Sequence, residues 1–132
     1  MPVTLQAARR MIEAAKAKAD ALGVPMVVAV VDAGGNLAAL DRQDDALLVS
    51  IDLARDKAYS AVAVKADTAT IGSLSQPGAE LFGLGRACGG RIVTFGGGLP
   101  ILENGRVVGG IGVSGGSVAQ DTACAEAGLA AY

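Results

Sequence analysis

The sequence predicts an α+β fold built on one antiparallel sheet. Three observations carry that expectation. Helical periodicity marks both ends and the middle of the chain. The runs with strand character follow one another instead of alternating strictly with helices. Asn104-Gly105 sits between two apolar runs, and both residues tolerate the positive φ of a type I′ hairpin turn. With 132 residues the chain has room for a single domain, residues 1–132.

Thr4 is placed to cap a first helix. Leu5, Ala8, Ile12, Ala15, Ala19 and Leu22 recur on one face, Arg9, Arg10, Glu13, Lys16, Lys18 and Asp20 cover the other, and Gly23 supplies the stop. Val24 to Val31 is a near-continuous apolar run rich in valine, which reads as a buried strand. Asp32-Ala33-Gly34-Gly35-Asn36 turns it back into a second, antiparallel strand from Leu37 to Asp41. Leu47 to Val64 carries a helical stripe of Leu47, Ile51, Ala54, Ala58, Ala61 and Val62. Asp67 or Thr68 can cap a short helix through Leu74, and Ala79 to Leu84 reads as a further helical turn.

The last third holds three strand signals: Ile92 to Phe95, Pro100 to Glu103, and Arg106 to Val113. Gly96-Gly97-Gly98 separates the first two. In the third, Gly110 and Gly112 share a face with Val108 and Ser114. A glycine-lined strand face needs a reason, and either a helix backbone or a ligand approaches it closely. Ser117 and Gln120 have capping-box spacing and open a last helix to Ala131, with Asp121 in its first turn.

Composition narrows the function. The chain is 52% hydrophobic with 3% aromatic residues. Its mean hydropathy is +0.45. So much apolar content in a small domain points to contacts between subunits. A net charge of −2, few aromatics and no basic run argue against nucleic acid. No apolar run approaches the length of a membrane span, and the amphipathic N-terminal segment does not read as a signal peptide, so a cytoplasmic protein is expected. Cys88 and Cys124 are then free thiols and make no metal motif. The histidine count is zero, which removes histidine-based triads, dyads and metal sites.

The candidate site lies between the triple glycine and the Ser114-Gly115-Gly116-Ser117 turn. Backbone N–H groups near Gly96, Gly97, Gly98, Gly115 and Gly116, with Ser114 and Gln120, suit an anionic ligand. Arg42 or Lys57 is suited to a ligand carboxylate. Asp121, or Asp32, is the candidate general base, with Lys57 counted among the catalytic groups. A base working near neutral pH needs a raised pKa and therefore burial.

VVDAGGNLAALDR, SIDLARDKAYSAV, SQPGAELFG, FGGGLPI, NGRVVGGIGVSGG and QDTACAEAGL, in that order and over nearly the whole chain, resemble the GlcG/HbpS family, which includes the C-terminal domain of PduO-type proteins. The resemblance implies a five-stranded antiparallel sheet flanked by helices, in the order α-β-β-α-α-β-β-β-α. It implies homo-oligomers (dimers assembling into tetramers or octamers) and, in several members, bound haem. Members often carry a histidine in the stretch that here runs from Asn36 to Asp41, and this chain has none. Haem iron would then need Tyr59, Tyr132, Cys88, Cys124 or a methionine as its ligand. Glu13, Glu80, Glu103 and Glu126 are isolated and do not reproduce the acidic ExxE pairs of HbpS-type iron binding. The expectation is thus an oligomeric cytoplasmic protein that binds a small ligand, haem or another tetrapyrrole. The alternative is a cofactor-free lyase or isomerase acting on a small hydroxy or keto acid.

Overall fold

The computed structural model describes residues 2–132. Helix α1 (Leu5–Leu22) begins where Thr4 Oγ1 accepts the Ala7 N–H at 3.0 Å, and it ends at Gly23, which is left-handed with φ 71°. Strands β1 (Val27–Asp32) and β2 (Leu37–Arg42) form the first hairpin. Helix α2 (Val49–Val64) follows, then α3 (Thr68–Leu74), capped by Asp67. A run of turns leads to a 3-10 turn at Leu84–Arg86 and to α4 (Ala87–Gly90), a single turn in which Cys88 and Gly89 are left-handed. Strands β3 (Gly98–Glu103) and β4 (Arg106–Ser114) make the Asn104-Gly105 hairpin. Helix α5 (Val118–Ala130) closes the described chain behind a complete Ser117–Gln120 capping box.

The sheet has four strands, ordered β2-β1-β4-β3, with every neighbouring pair antiparallel. This corrects the expected five-stranded sheet: Ile92 to Phe95 is not a strand. The Val93 N–H donates to Ser60 Oγ on α2 at 2.8 Å, and the same hydroxyl lies 3.0 Å from the Arg91 carbonyl. The Thr94 carbonyl rests on Gly72 of α3. Ile92 and Val93 are therefore buried without any ladder partner. Three apolar residues in a row report burial, and periodicity over so short a run does not separate sheet from helix packing. The helical turn expected at Ala79 to Leu84 also falls later, at Leu84–Arg86. Pro100 lies on β3, an edge strand, where a missing N–H is tolerated.

The two faces of the sheet are packed differently. Val28, Val30, Ile101, Ile111 and Val113 meet Met11, Ile12, Ala15, Cys124 and Ala125, so α1 and α5 share one face. Val27 and Ala29 meet Ala54 of α2 on the other. There Gly110 and Gly112 of β4 face α2, and a Cβ on either would run into the carbonyl of Ala58 or Ala54. The glycine-lined face thus receives a helix backbone. That close approach brings Lys57 down onto the end of the sheet. Among the described residues no helix is long and apolar enough to cross a membrane.

Candidate functional site

Three segments converge where β3 begins and β4 ends. The triple glycine comes first. The Gly97 carbonyl accepts the Val113 N–H at 2.9 Å, and the Gly98 N–H donates to Thr68 Oγ1 at 2.9 Å. Gly97 has φ 123°, and a Cβ there would stand 2.6 Å from Lys57 Nζ and 2.7 Å from the Val113 carbonyl. Only glycine lets the chain pass this close to the lysine head.

Lys57 is fully buried. Its Nζ donates to the Val113 carbonyl at 2.8 Å and to Asp121 Oδ2 at 2.9 Å. It also lies 5.1 Å from the centre of the Phe95 ring, within cation–π reach. Asp121 is only 3% exposed, and its second oxygen accepts the Gly116 N–H at 2.8 Å. Burial pushes the Lys57 ammonium below its usual 10.5, while the hydrogen bond and charge of Asp121 pull it back up. The pair joins α2, the end of β4 and the first turn of α5 into one sealed lock.

Lys57, Asp121, Gly97 and Gly116 are therefore brought together as a group. The carboxylate that Lys57 holds is the protein's own. Two amides of the Ser114–Ser117 turn have internal acceptors: Gly116 N–H donates to Asp121, and Ser117 N–H donates to Gln120 Oε1 at 2.9 Å. Gly96 packs on Val118, Thr122 and Ala69, Gly98 on the Lys57 carbonyl, and Gly115 on Pro25 and Met26. Ser114 Oγ pairs with Ser50 Oγ at 3.0 Å, both buried beneath α2. Arg42 and Ser114 flank Val27 in the register, which puts Arg42 at this end of the sheet. Its guanidinium donates to the Ala46 carbonyl at 2.8 and 3.2 Å. Asp32 lies at the opposite end, paired with Gly109, and its Oδ1 accepts the Gly34 and Asn36 N–H groups of its own turn at 2.9 and 3.0 Å.

Sequence reasoning missed the roles of Phe95, Thr68 and Ser50. An aromatic next to the triple glycine, in a chain with two Phe and two Tyr, was the available signal for Phe95. It also missed a second cluster on the outer side of α2. The Arg91 guanidinium stacks 3.6 Å from the centre of the Tyr59 ring and pairs with Asp56 at 3.2 Å. Cys88, close to the Tyr59 hydroxyl, raises the phenol's pKa above its usual value. A cleft of 890 Å³ runs along α1 and the end of β2, with Arg42 and Pro25 in its lining. Its lining is charged, and Lys16 bridges Glu13 and Asp41 there at 2.8 Å each.

These elements define an α+β domain with helices on both faces of an antiparallel sheet and a buried ion-pair lock at one end. The chain belongs to the HbpS-like family, described as haem degrading protein HbpS-like, whose model matches residues 3–130. It is 48% identical over 127 residues to an uncharacterised 15.0 kDa protein from the dhaT-dhaS intergenic region of Citrobacter freundii, covering 96% of this chain and 89% of that one. It is 45% identical over 131 residues to the corrinoid adenosyltransferase PduO of Citrobacter freundii; the match covers 99% of this chain but 39% of PduO. Among solved structures, the PduOC:Heme complex superposes with a TM-score of 0.96 at 42% identity, covering 100% of this chain and 96% of that one.

Proposed function

We propose that this protein is a cytoplasmic homo-oligomer that binds haem or a related tetrapyrrole and does no cofactor-free chemistry of its own. The observation that carries this reading is the whole-length likeness to the PduOC:Heme complex. The geometry of the Lys57–Asp121 lock argues against catalysis there. Asp121 as a base would have to leave both Lys57 and the Gly116 N–H, in a place closed to substrate. Arg42, the candidate carboxylate anchor of a lyase or isomerase, is engaged with the Ala46 carbonyl.

The donor chemistry fits haem without histidine. Tyr and Cys both serve as axial ligands of haem iron, and this chain presents Cys88 on its surface with the Tyr59 hydroxyl beside it. Bound haem would supply the iron centre, and the chain would supply the donor, the cations near it and apolar contact. Self-association is supported by three consecutive exposed apolar residues at the start of α2: Leu47, Leu48 and Val49, at 59%, 82% and 58% exposure. Free thiols suit a reducing compartment.

The test is a hemin titration of the purified protein, with native mass recorded on the same sample. Saturable Soret change at a defined ratio to subunits, on a closed oligomer, is the expected result. A folded protein that shows no saturable change would overturn the haem reading. A monomer at working concentration would overturn the oligomer.

A further inference from the structure

The two edges of the sheet are finished differently. On β3 the outward positions are closed. The Gly97 carbonyl takes the Val113 N–H, so Gly97 and Leu99 turn toward β4, and Gly98 and Pro100 turn outward. The Gly98 N–H is taken up by Thr68 Oγ1 at 2.9 Å, and Pro100 has no N–H to offer. On β2 the outward positions are open. The Gln43 N–H reaches the Met26 carbonyl at 3.0 Å, which turns Asp41 and Ala39 toward β1. The backbone N–H and C=O of Leu40 and Arg42 then face away from the sheet, at its edge. Residues 37–40 carry neither charge nor proline, the usual guards of a free edge. A bulge at Ala38 confines the flat run to residues 39–42.

The 890 Å³ cleft opens on this edge. Leu40 and Arg42 are paired with Ala29 and Val27 and share their α2 side of the sheet, Asp41 takes the α1 side, and all three line the cleft. Helix α1 forms the facing wall through Lys16, Ala17 and Asp20. An open edge strand with a groove beside it is the geometry to which an extended peptide adds a strand.

We propose that this groove binds an extended basic segment of a partner protein, which pairs with the edge of β2. Charge selects the occupant. Lys16 is held by Glu13 and Asp41, and Arg42 by the Ala46 carbonyl. No cation among the described residues pairs with Asp20, Asp44 or Asp45, which lie in the same lining. The groove is left with uncompensated negative charge, which attracts lysine and arginine and repels a second copy of the same edge. Side chains of an added strand alternate between its two sides. Those on the α1 side meet Asp20 and Asp41, and those on the α2 side meet Leu40, which packs on the buried cluster around Ala46 and Ala54. The sequence that fits alternates basic with apolar residues. Such a segment binds whether or not the protein carries haem, so the two readings stand or fall separately.

The test titrates the full chain into a fluorescein-labelled hexapeptide that alternates lysine with valine, read by fluorescence anisotropy. Saturable binding at one peptide per chain, weakening with salt, is expected. Two further peptides, N-methylated on one or the other alternate set of amides, separate strand addition from adhesion by charge: one should lose binding and the other keep it. Leu40→Pro removes an outward N–H without touching the β1 ladder and should weaken binding about tenfold. Asp44→Asn combined with Asp45→Asn should weaken it about threefold to tenfold and flatten the salt dependence. Asparagine suits the left-handed Asp45, at φ 68°, so this variant keeps the fold. The methylated peptides and the asparagine variant carry the test if Leu40→Pro does not fold. No saturable binding, or equal binding of the two methylated peptides, overturns the proposal. A lower native mass for Leu40→Pro, with no peptide binding to wild type, gives the edge to a second copy and overturns it too.

Discussion

Replacing Lys57 by Met removes the ammonium and keeps most of the side-chain volume. Asp121 Oδ2 and the Val113 carbonyl then lose their donor in a site where Lys57 is fully buried and Asp121 nearly so. Breaking one side of a buried ion pair costs about 3–5 kcal/mol. In a chain of this size each kcal/mol moves the melting temperature by about 3–5 °C, so a fall of about 10–25 °C is expected. Converting both partners, Lys57→Met with Asp121→Leu, removes the stranded charge as well. The double variant should recover stability relative to the sum of the singles, by about 1–3 kcal/mol of coupling. Thermal and urea unfolding of the four proteins, followed by circular dichroism, measures the cycle. If Lys57→Met lies within about 1 kcal/mol of wild type, or the two changes simply add, the lock does not hold these elements together.

Two further outcomes follow from the same packing. Gly112→Ala would push a Cβ into the Ala54 carbonyl and to 2.6 Å from the Ala58 nitrogen, both helix backbone that cannot turn aside, and should cost about 1–3 kcal/mol in urea unfolding. Gly34→Ala is the contrast, since its nearest obstacle is the movable end of the Asn36 side chain at 2.9 Å, and equal losses at the two positions would refute the close-approach argument. The second outcome concerns pH. Between the lowered folded value of Lys57 and 10.5, the unfolded chain holds a proton that the native lysine has shed, so this group makes stability rise with pH across that window. Lys16 acts in the opposite sense and in a different window. The hydrogen bonds that Lys16 donates to the Asp41 and Glu13 carboxylates raise its pKa, so its contribution is complete below 10.5 and is lost as pH climbs through its folded value. Urea midpoints measured up to 10.5 should therefore rise for wild type relative to the Lys57→Met/Asp121→Leu variant, and parallel curves would refute it.

Signals carried by a few consecutive residues were legible in the sequence. Thr4 and Gly23 bound α1, Asn104-Gly105 turns the second hairpin, and Ser117 with Gln120 opens α5, because each acts on backbone within four residues of itself. The α+β class and nearly all the element order followed from the same local evidence. The convergence of the triple glycine with the Asp121 turn was visible only as two clusters that asked for a close approach.

What the tertiary structure decided are the partners. Ile92 to Phe95 reads like a strand, but Ser60 takes its Val93 N–H and α3 receives its Thr94 carbonyl, so the sheet stops at four strands. Arg42 meets the Ala46 carbonyl, the amides of the Gly116 turn meet Asp121 and Gln120, and the carboxylate waiting for Lys57 is Asp121, 64 residues away. The sequence by itself determined which residues bear donors, acceptors and charge, and where the backbone can bend. Which donor meets which acceptor was left to the packing of α2 on β4, because distant groups are paired by the burial of apolar surface around them and carry no mark of it along the chain.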